Sequence, residues 1–150
     1  MKKVILGLFI LVASVQAVLA TDDAKKVSSW AKKSFEKQFP GAQYPRWYEI
    51  EESEIYAVSF GYNEQSLMAY VDRSGIVLAT LRNVDLNYLP FPVKESIQSK
   101  FAGYDIVKIE ELTMNSDLSY LVQLENSKRK VGIRMFPGGN YYEIKSEKIK

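Results

Sequence analysis

Two stretches of similar sequence constrain how this 150-residue chain can fold. Ala31 to Gly41 reads AKKSFEKQFPG, and Val93 to Gly103 reads VKESIQSKFAG. Each runs from a small apolar residue through Lys and Ser to Phe and closes on Gly. In the first, Pro40 cannot continue a helix and Gly41 can take a left-handed turn, so a helix ends near Phe39. Strand-like sequence follows both. Phe39 and Phe101 are 62 positions apart, and the turn glycines Gly75 and Gly139 are 64 apart, so the second copy is longer by two residues. A period of this length bears on the whole fold rather than on a local motif.

The first helix is amphipathic. Ala24, Val27, Trp30, Ala31, Phe35 and Gln38 recur mostly at steps of three and four, with Lys25, Lys26, Lys32, Lys33, Glu36 and Lys37 on the other side. Asp22 or Asp23 is the expected cap. Four strand-like runs follow: Arg46 to Glu51, Ile55 to Tyr62, Gln65 to Val71 and Ile76 to Arg82. The second is the clearest, with Tyr56, Val58, Phe60 and Tyr62 alternating against Ile55, Ala57, Ser59 and Gly61. Asn83 to Leu89 reads as a linker. Pro92 suits the first turn of a second helix, whose face is Val93, Ile97 and Phe101. The last four runs are Asp105 to Leu112, Leu118 to Leu124, Lys130 to Phe136 and Asn140 to Ser146. Short polar turns between runs predict antiparallel hairpins. The expected fold is α+β: two αββββ units, about 22–83 and 90–147, forming an antiparallel sheet with both helices on one face. The other face is left open, and function is expected there.

Residues 1–20 have the layout of a secretory signal peptide. Lys2 and Lys3 precede an apolar run, Val18 and Ala20 occupy the positions a signal peptidase reads, and Thr21-Asp22-Asp23 is abruptly polar. As a helix, Val4 to Ala20 would span about 25 Å, short of the ~30 Å hydrocarbon core. The expected domain is therefore 21–150, periplasmic or secreted, with no stable membrane anchor after cleavage. Without Lys2 and Lys3, the 20 basic residues fall to 18 and balance the 18 acidic ones. A neutral chain has no net field for a polyanion, which argues against nucleic acid as a partner.

The chain has no Cys and no His. That excludes disulfides, Ser-His-Asp and Cys-His catalysis, and the usual zinc sites. It also removes the commonest general base. No cofactor, metal or catalytic residue is expected, and the chain does not read as an enzyme.

The helix ending Phe39-Pro40-Gly41-Ala42, Trp47 five residues on, the strand Tyr56-Ala57-Val58-Ser59-Phe60, the run AYVDRSGIVL from Ala69 to Leu78, and Leu89-Pro90 before the second helix resemble PepSY-like domains. More narrowly, they resemble the secreted beta-lactamase-inhibitor-like (BLIP-like) members found in Bacteroidetes. The resemblance covers Lys25 to Leu112. It implies a periplasmic or extracellular domain of two helix-then-strands units. PepSY domains are suspected of regulating or inhibiting peptidases, and the namesake inhibitor binds an enzyme through its sheet face. Met135-Phe136-Pro137-Gly138-Gly139 departs from Val71-Asp72-Arg73-Ser74-Gly75, which implies a structural second unit rather than a second copy of any site.

Glu49, Glu51, Glu52 and Glu54 cluster at the first hairpin, but their spacing lacks the Asp/Asn and Gly positions of a calcium loop and reads as a solvated turn. Ser127-Lys128-Arg129-Lys130 reads as a solvated basic hairpin, and Lys145, Lys148 and Lys150 as a frayed end. The aromatics carry more signal, because Tyr and Trp offer large contact areas with a polar handle. Trp47, Tyr48, Tyr56, Tyr62, Tyr70, Tyr141 and Tyr142 all fall on strand-like runs. Alternation puts the adjacent pairs Trp47/Tyr48 and Tyr141/Tyr142 on opposite faces, so one of each pair points away from the helices. These seven are the candidate binding residues. The expected role is a non-enzymatic module holding a protein or peptide in the cell envelope; the alternative is a small-ligand (lipid or metabolite) binding protein.

Overall fold

The computed structural model describes residues 27–50 and 53–149. The expected signal sequence and the Asp22/Asp23 cap lie outside the described residues, as do Glu51, Glu52 and Lys150. Helix α1 (Ser29–Gln38) leads into strands β1 (Gln43–Glu49), β2 (Ile55–Tyr62), β3 (Gln65–Asp72) and β4 (Val77–Asn83). A 3₁₀ turn (Leu86–Tyr88) and helix α2 (Phe91–Lys100) follow, then β5 (Asp105–Met114), β6 (Asp117–Glu125), β7 (Arg129–Met135) and β8 (Tyr141–Lys148). All eight strands form one sheet in chain order, every neighbouring pair antiparallel. This is an α+β fold of two helices on an eight-stranded antiparallel sheet. Among the described residues no helix is long and apolar enough to cross a membrane.

Local chemistry explains the corners. Asn63 and Glu64 have φ of 48° and 63°, and Asn115 and Ser116 have 51° and 68°. Positive φ at both central residues is what a two-residue type I′ hairpin needs, because its twist matches that of the strands. The β3–β4 turn is fixed differently. Gly75 has φ +86°, and its missing side chain lets the turn touch α1: an ideal Cβ would lie 2.4 Å from Ser34 Cβ. The carbonyl of Gly75 accepts from Ser34 Oγ and Gln38 Nε2, both at 2.9 Å. Gly139, in the β7–β8 turn, is pressed against the start of α2, where its Cβ would lie 2.7 Å from the Pro92 carbonyl oxygen.

Register assigns the faces. From β2 to β6, Val58, Ala69, Thr80, Thr113 and Leu118 lie on one cross-strand row, and Phe60, Leu67, Arg82, Glu111 and Tyr120 on the next. Both rows belong to the side that carries the helices. On α1, Ala31 and Phe35 pack with Val27 onto Trp47, Tyr56, Val58, Phe60, Ala69 and Val71. Phe35 is the hub, with ring centroids 4.8 Å from Phe60, 5.1 Å from Phe39 and 5.2 Å from Trp47. On α2, Val93 and Ile97 pack with Leu89 onto Ile109, Tyr120, Val122, Leu124, Val131, Ile133 and Met135. Both helices therefore share a face. Burying each large side chain contributes about 1.5–3 kcal/mol.

Several local expectations change. The described helix starts at Ser29, capped by Ser28, whose Oγ accepts from the Ala31 N–H at 3.0 Å. Trp30, placed on the apolar stripe by spacing, is 67% exposed, because Ala31 and Phe35 already point at the sheet. The linker after β4 contains the 3₁₀ turn. Lys145 and Lys148 are not a frayed end: they belong to β8, whose backbone pairs with β7 from Tyr141 through Lys148. The ladder supplies what the polar sequence does not advertise. At the opposite edge, β1 is interrupted by Pro45 and by a register shift between Gln43 and Arg46, with Tyr44 at φ 51°.

Candidate functional site

Among the described residues no helix covers the other face, and this helix-free face has its own apolar layer. The row Tyr48, Ala57, Tyr70, Ala79, Met114 alternates large and small side chains across β1 to β5. Two alanines flank the Tyr70 ring, which lets it settle against the sheet and become almost fully buried. The next row runs Ser59, Met68, Leu81, Leu112, Ser119. Ile50, Ile55, Tyr70, Leu81, Leu112, Met114 and Leu121 are all buried in one cluster, with Ile144 against its edge.

Toward β8 this layer opens into a groove of about 370 Å³. Leu112, Leu121 and Ile144 form its apolar floor, and Gly132 is a notch in the row Gln123, Gly132, Lys145. A Cβ at Gly132 would meet only Lys145, its Cβ at an ordinary 3.8 Å and its carbonyl oxygen at 4.0 Å. Charges ring the groove and neutralise one another: Lys108 with Glu110 at 2.6 Å, Lys145 with Glu147 at 2.6 Å, and Lys130 with Glu125 at 3.4 Å. The Lys145 ammonium holds the Glu147 carboxyl below its usual range, chiefly by hydrogen bonding. The two pairs made by Lys130 and Lys145 are exposed and contribute little stability, but together the three leave the rim without net charge.

Among the described residues, Arg134 is the one buried charged residue on this face. Its Nε donates to Ser119 Oγ at 2.9 Å, its Nη1 donates to the Tyr142 hydroxyl at 3.3 Å, and its guanidinium lies 5.4 Å from the Phe136 ring centroid. This network orients Tyr142 at the margin of the apolar layer. Burial, and secondarily the charge of Glu110, push the Tyr70 phenol well above the ordinary tyrosine range, so it is protonated at neutral pH.

The seven candidate aromatics do not form one surface. Trp47 and Tyr56 are buried beneath α1, their centroids 6.2 Å apart, and Tyr62 packs against Phe39 at 5.6 Å on the same side. These three hold the helix in place and are not available to a partner on the open face. Tyr141 is on the helix side too, against Phe101 at 5.1 Å. Tyr48, Tyr70 and Tyr142 lie on the helix-free face, and only Tyr142 is substantially exposed there. Of the first-hairpin carboxylates, Glu49 lies 4.0 Å from Arg73. The aromatic signal passed over Leu112, Leu121, Gly132 and Ile144. The one clue to them was an isolated glycine inside the strand KVGIRM, a common mark of close approach.

No protein-family model matches this chain, and no curated protein sequence does. Solved structures match it along most of their length. A DUF2874 family protein from Bacteroides uniformis superposes with a TM-score of 0.71 at 14% identity, covering 81% of this chain and 88% of that one. A BLIP-like protein from Bacteroides fragilis gives 0.69 at 18%, covering 85% and 92%. A proposed periplasmic protein from Bacteroides eggerthii gives 0.71 at 14%, covering 82% and 89%. At these identities the likeness establishes a shared fold.

Proposed function

We propose that this chain is a non-enzymatic, PepSY-like binding module of the secreted BLIP-like group, which holds a protein or peptide of the cell envelope through its helix-free sheet face. Residues 1–20 direct export and are removed, leaving a periplasmic or secreted domain. The fold shared with a BLIP-like protein and with a proposed periplasmic protein supports this reading. The glycine turn docked on each helix also supports reading the chain as two duplicated units. The observation that carries the proposal is the groove. An apolar floor of Leu112, Leu121 and Ile144 around the Gly132 notch, ringed by paired charges, suits a buried apolar anchor from a partner. Tyr142, held by Arg134, sits on the same face.

Gly132→Val tests it. The φ of Gly132 is outside the left-handed region, and valine suits a strand, so the fold is kept while the notch is filled. A photo-crosslinking residue at position 145, beside the groove, is expected to capture one recurrent envelope protein. The same residue at position 33, on the exposed side of α1, is not, and Gly132→Val abolishes the adduct. Equal capture from both positions, or an adduct indifferent to Gly132→Val, refutes the proposal. The groove volume also suits a small apolar ligand. A saturable rise in Tm with a fatty acid or metabolite, lost in Gly132→Val and unaccompanied by a protein adduct, would favour that second reading.

A further inference from the structure

The helix-bearing face is apolar under α1 and apolar under α2, but not between them. The cross-strand row there reads Phe60, Leu67, Arg82, Glu111, Tyr120, Met135. An ion pair interrupts an otherwise apolar row, on the two central strands. Arg82 Nε donates to Glu111 Oε1 at 2.6 Å, and Arg82 Nη1 donates to Gln65 Oε1 at 2.9 Å. Both charged side chains are partly buried, 37% and 19% exposed. Ion pairs in such places are poor sources of stability, since well-packed apolar side chains of similar volume do as well or better.

A cleft of about 580 Å³ opens over this pair, lined by Gln65, Arg82, Asp85, Tyr88, Glu111 and Tyr120. A second hollow of about 230 Å³ shares Gln65, Arg82 and Glu111 and reaches Thr80 and Thr113. Among the described residues, Arg82 Nη2, Gln65 Nε2 and Glu111 Oε2 make no protein hydrogen bond, so donors and an acceptor stand side by side, held in place by their partners. At the rim, Tyr88 on the 3₁₀ turn is 80% exposed.

We propose that this seam is a binding site for a neutral polyhydroxylated ligand, a short saccharide, held by Arg82, Glu111 and Gln65 with Tyr88 as its stacking platform. The chemistry selects that class. The two central charges cancel against each other, and the exposed Asp85 carboxylate at the rim turns anions away while offering hydroxyls a further acceptor. Planar groups bearing adjacent donors and an acceptor match vicinal hydroxyls, each of which both donates and accepts. A flat, exposed phenol ring suits the apolar C–H face of a sugar. An extended peptide is disfavoured because β4 and β5 are central strands. Their backbone groups are committed to the ladder, and strand addition needs a free edge.

The test is two-dimensional amide NMR on the purified protein. Soluble trisaccharides of glucose, galactose, mannose and N-acetylglucosamine, and trialanine, are each titrated to about 10 mM, a range that detects weak binding. At least one saccharide is expected to give saturable shifts centred on Gln65, Arg82, Glu111, Tyr120 and the 3₁₀ turn. Tyr88→Ala, at an exposed position where folding is not at stake, and Glu111→Gln are each expected to weaken binding about tenfold or more. Circular dichroism verifies that both variants are folded. The proposal is overturned by no saturable shift from any saccharide, by shifts centred on the Gly132 groove, by trialanine binding as well as the sugars, or by unchanged affinity in folded Tyr88→Ala.

Discussion

Substituting alanine at Gly75 and at Gly41 separates the cost of backbone strain from the cost of a docked turn. Both glycines have positive φ, +86° and +92°. Around Gly41 a Cβ would meet nothing within 4 Å, so Gly41→Ala carries only the left-handed backbone penalty, about 1–2 kcal/mol. At Gly75 the same Cβ would lie 2.4 Å from Ser34 Cβ and 3.3 Å from Ala31 Cα, neither at the end of a flexible side chain. Relief requires the turn to lift off α1, at about 1–3 kcal/mol for overpacking. The two hydrogen bonds to the Gly75 carbonyl then weaken or break, at about 0.5–1.5 kcal/mol each. Gly75→Ala should therefore cost about 3–8 kcal/mol, a large fraction of the roughly 5–15 kcal/mol that holds an ordinary domain together. Urea denaturation followed by circular dichroism measures both variants. The double variant Gly75→Ala/Ser34→Gly removes the clashing atoms and should be more stable than the sum of the single changes predicts, even though glycine in a helix costs about 1 kcal/mol. Equal losses for Gly41→Ala and Gly75→Ala, or strict additivity in the double variant, would refute the docked-turn argument.

Two further stability predictions follow from the core. Phe35→Ala removes the ring that joins Phe39, Trp47 and Phe60 and should cost about 3–5 kcal/mol by the same assay. Tyr70 has a folded pKa above its unfolded value of 10.0, so its stabilising contribution is complete below that pH and is lost as pH rises through the folded pKa. Urea midpoints from about pH 8 to 11 should fall more steeply for the wild type than for Tyr70→Phe, with the curves diverging only above the ordinary tyrosine pKa. Tyr120, also raised by burial, keeps some slope in both.

The parts of the fold legible in the sequence were those set by local chemistry. Strict alternation in IYAVSFGY fixed β2 at Ile55 to Tyr62. Asp72-Arg73-Ser74-Gly75 marked the turn from β3 to β4, and Pro40-Gly41 marked the end of α1. What local sequence cannot specify is which of two faces a strand turns toward a helix. Trp47 and Tyr48 are equivalent by alternation, and Phe35 on α1 decides that Trp47 is the buried one. Spacing alone also put Trp30 on the wrong side of its helix. The end of β8 was harder: Asn140 to Ser146 reads as a strand, but Glu147 and Lys148 look like a solvated tail, and only the ladder to β7 extends the strand through them. The groove was the least legible feature. Its floor comes from β5, β6 and β8 around a glycine of β7, and no window of the sequence contains it. The Arg82–Glu111 pair likewise joins residues 29 positions apart that meet only because β4 and β5 are neighbours.

The order β1 to β8 has a consequence for how the molecule comes apart. Each strand pairs only with its neighbours in the chain, so contacts are mostly short-range and the contact order is low for a β-rich protein, a condition that favours fast folding. One pairing differs from the rest. The β4–β5 ladder, Ala79 with Met114 through Asn83 with Glu110, closes over the whole of α2, and among the described residues it is the one strand pairing between the strands under α1 and those under α2. It is the natural fracture line for sub-global opening. Amide hydrogens of β4 and β5 that point at each other should exchange through a partial opening that leaves β2 and β6 protected. The Arg82–Glu111 pair straddles that line, so anything that grips both residues at once acts as a clasp on the sheet.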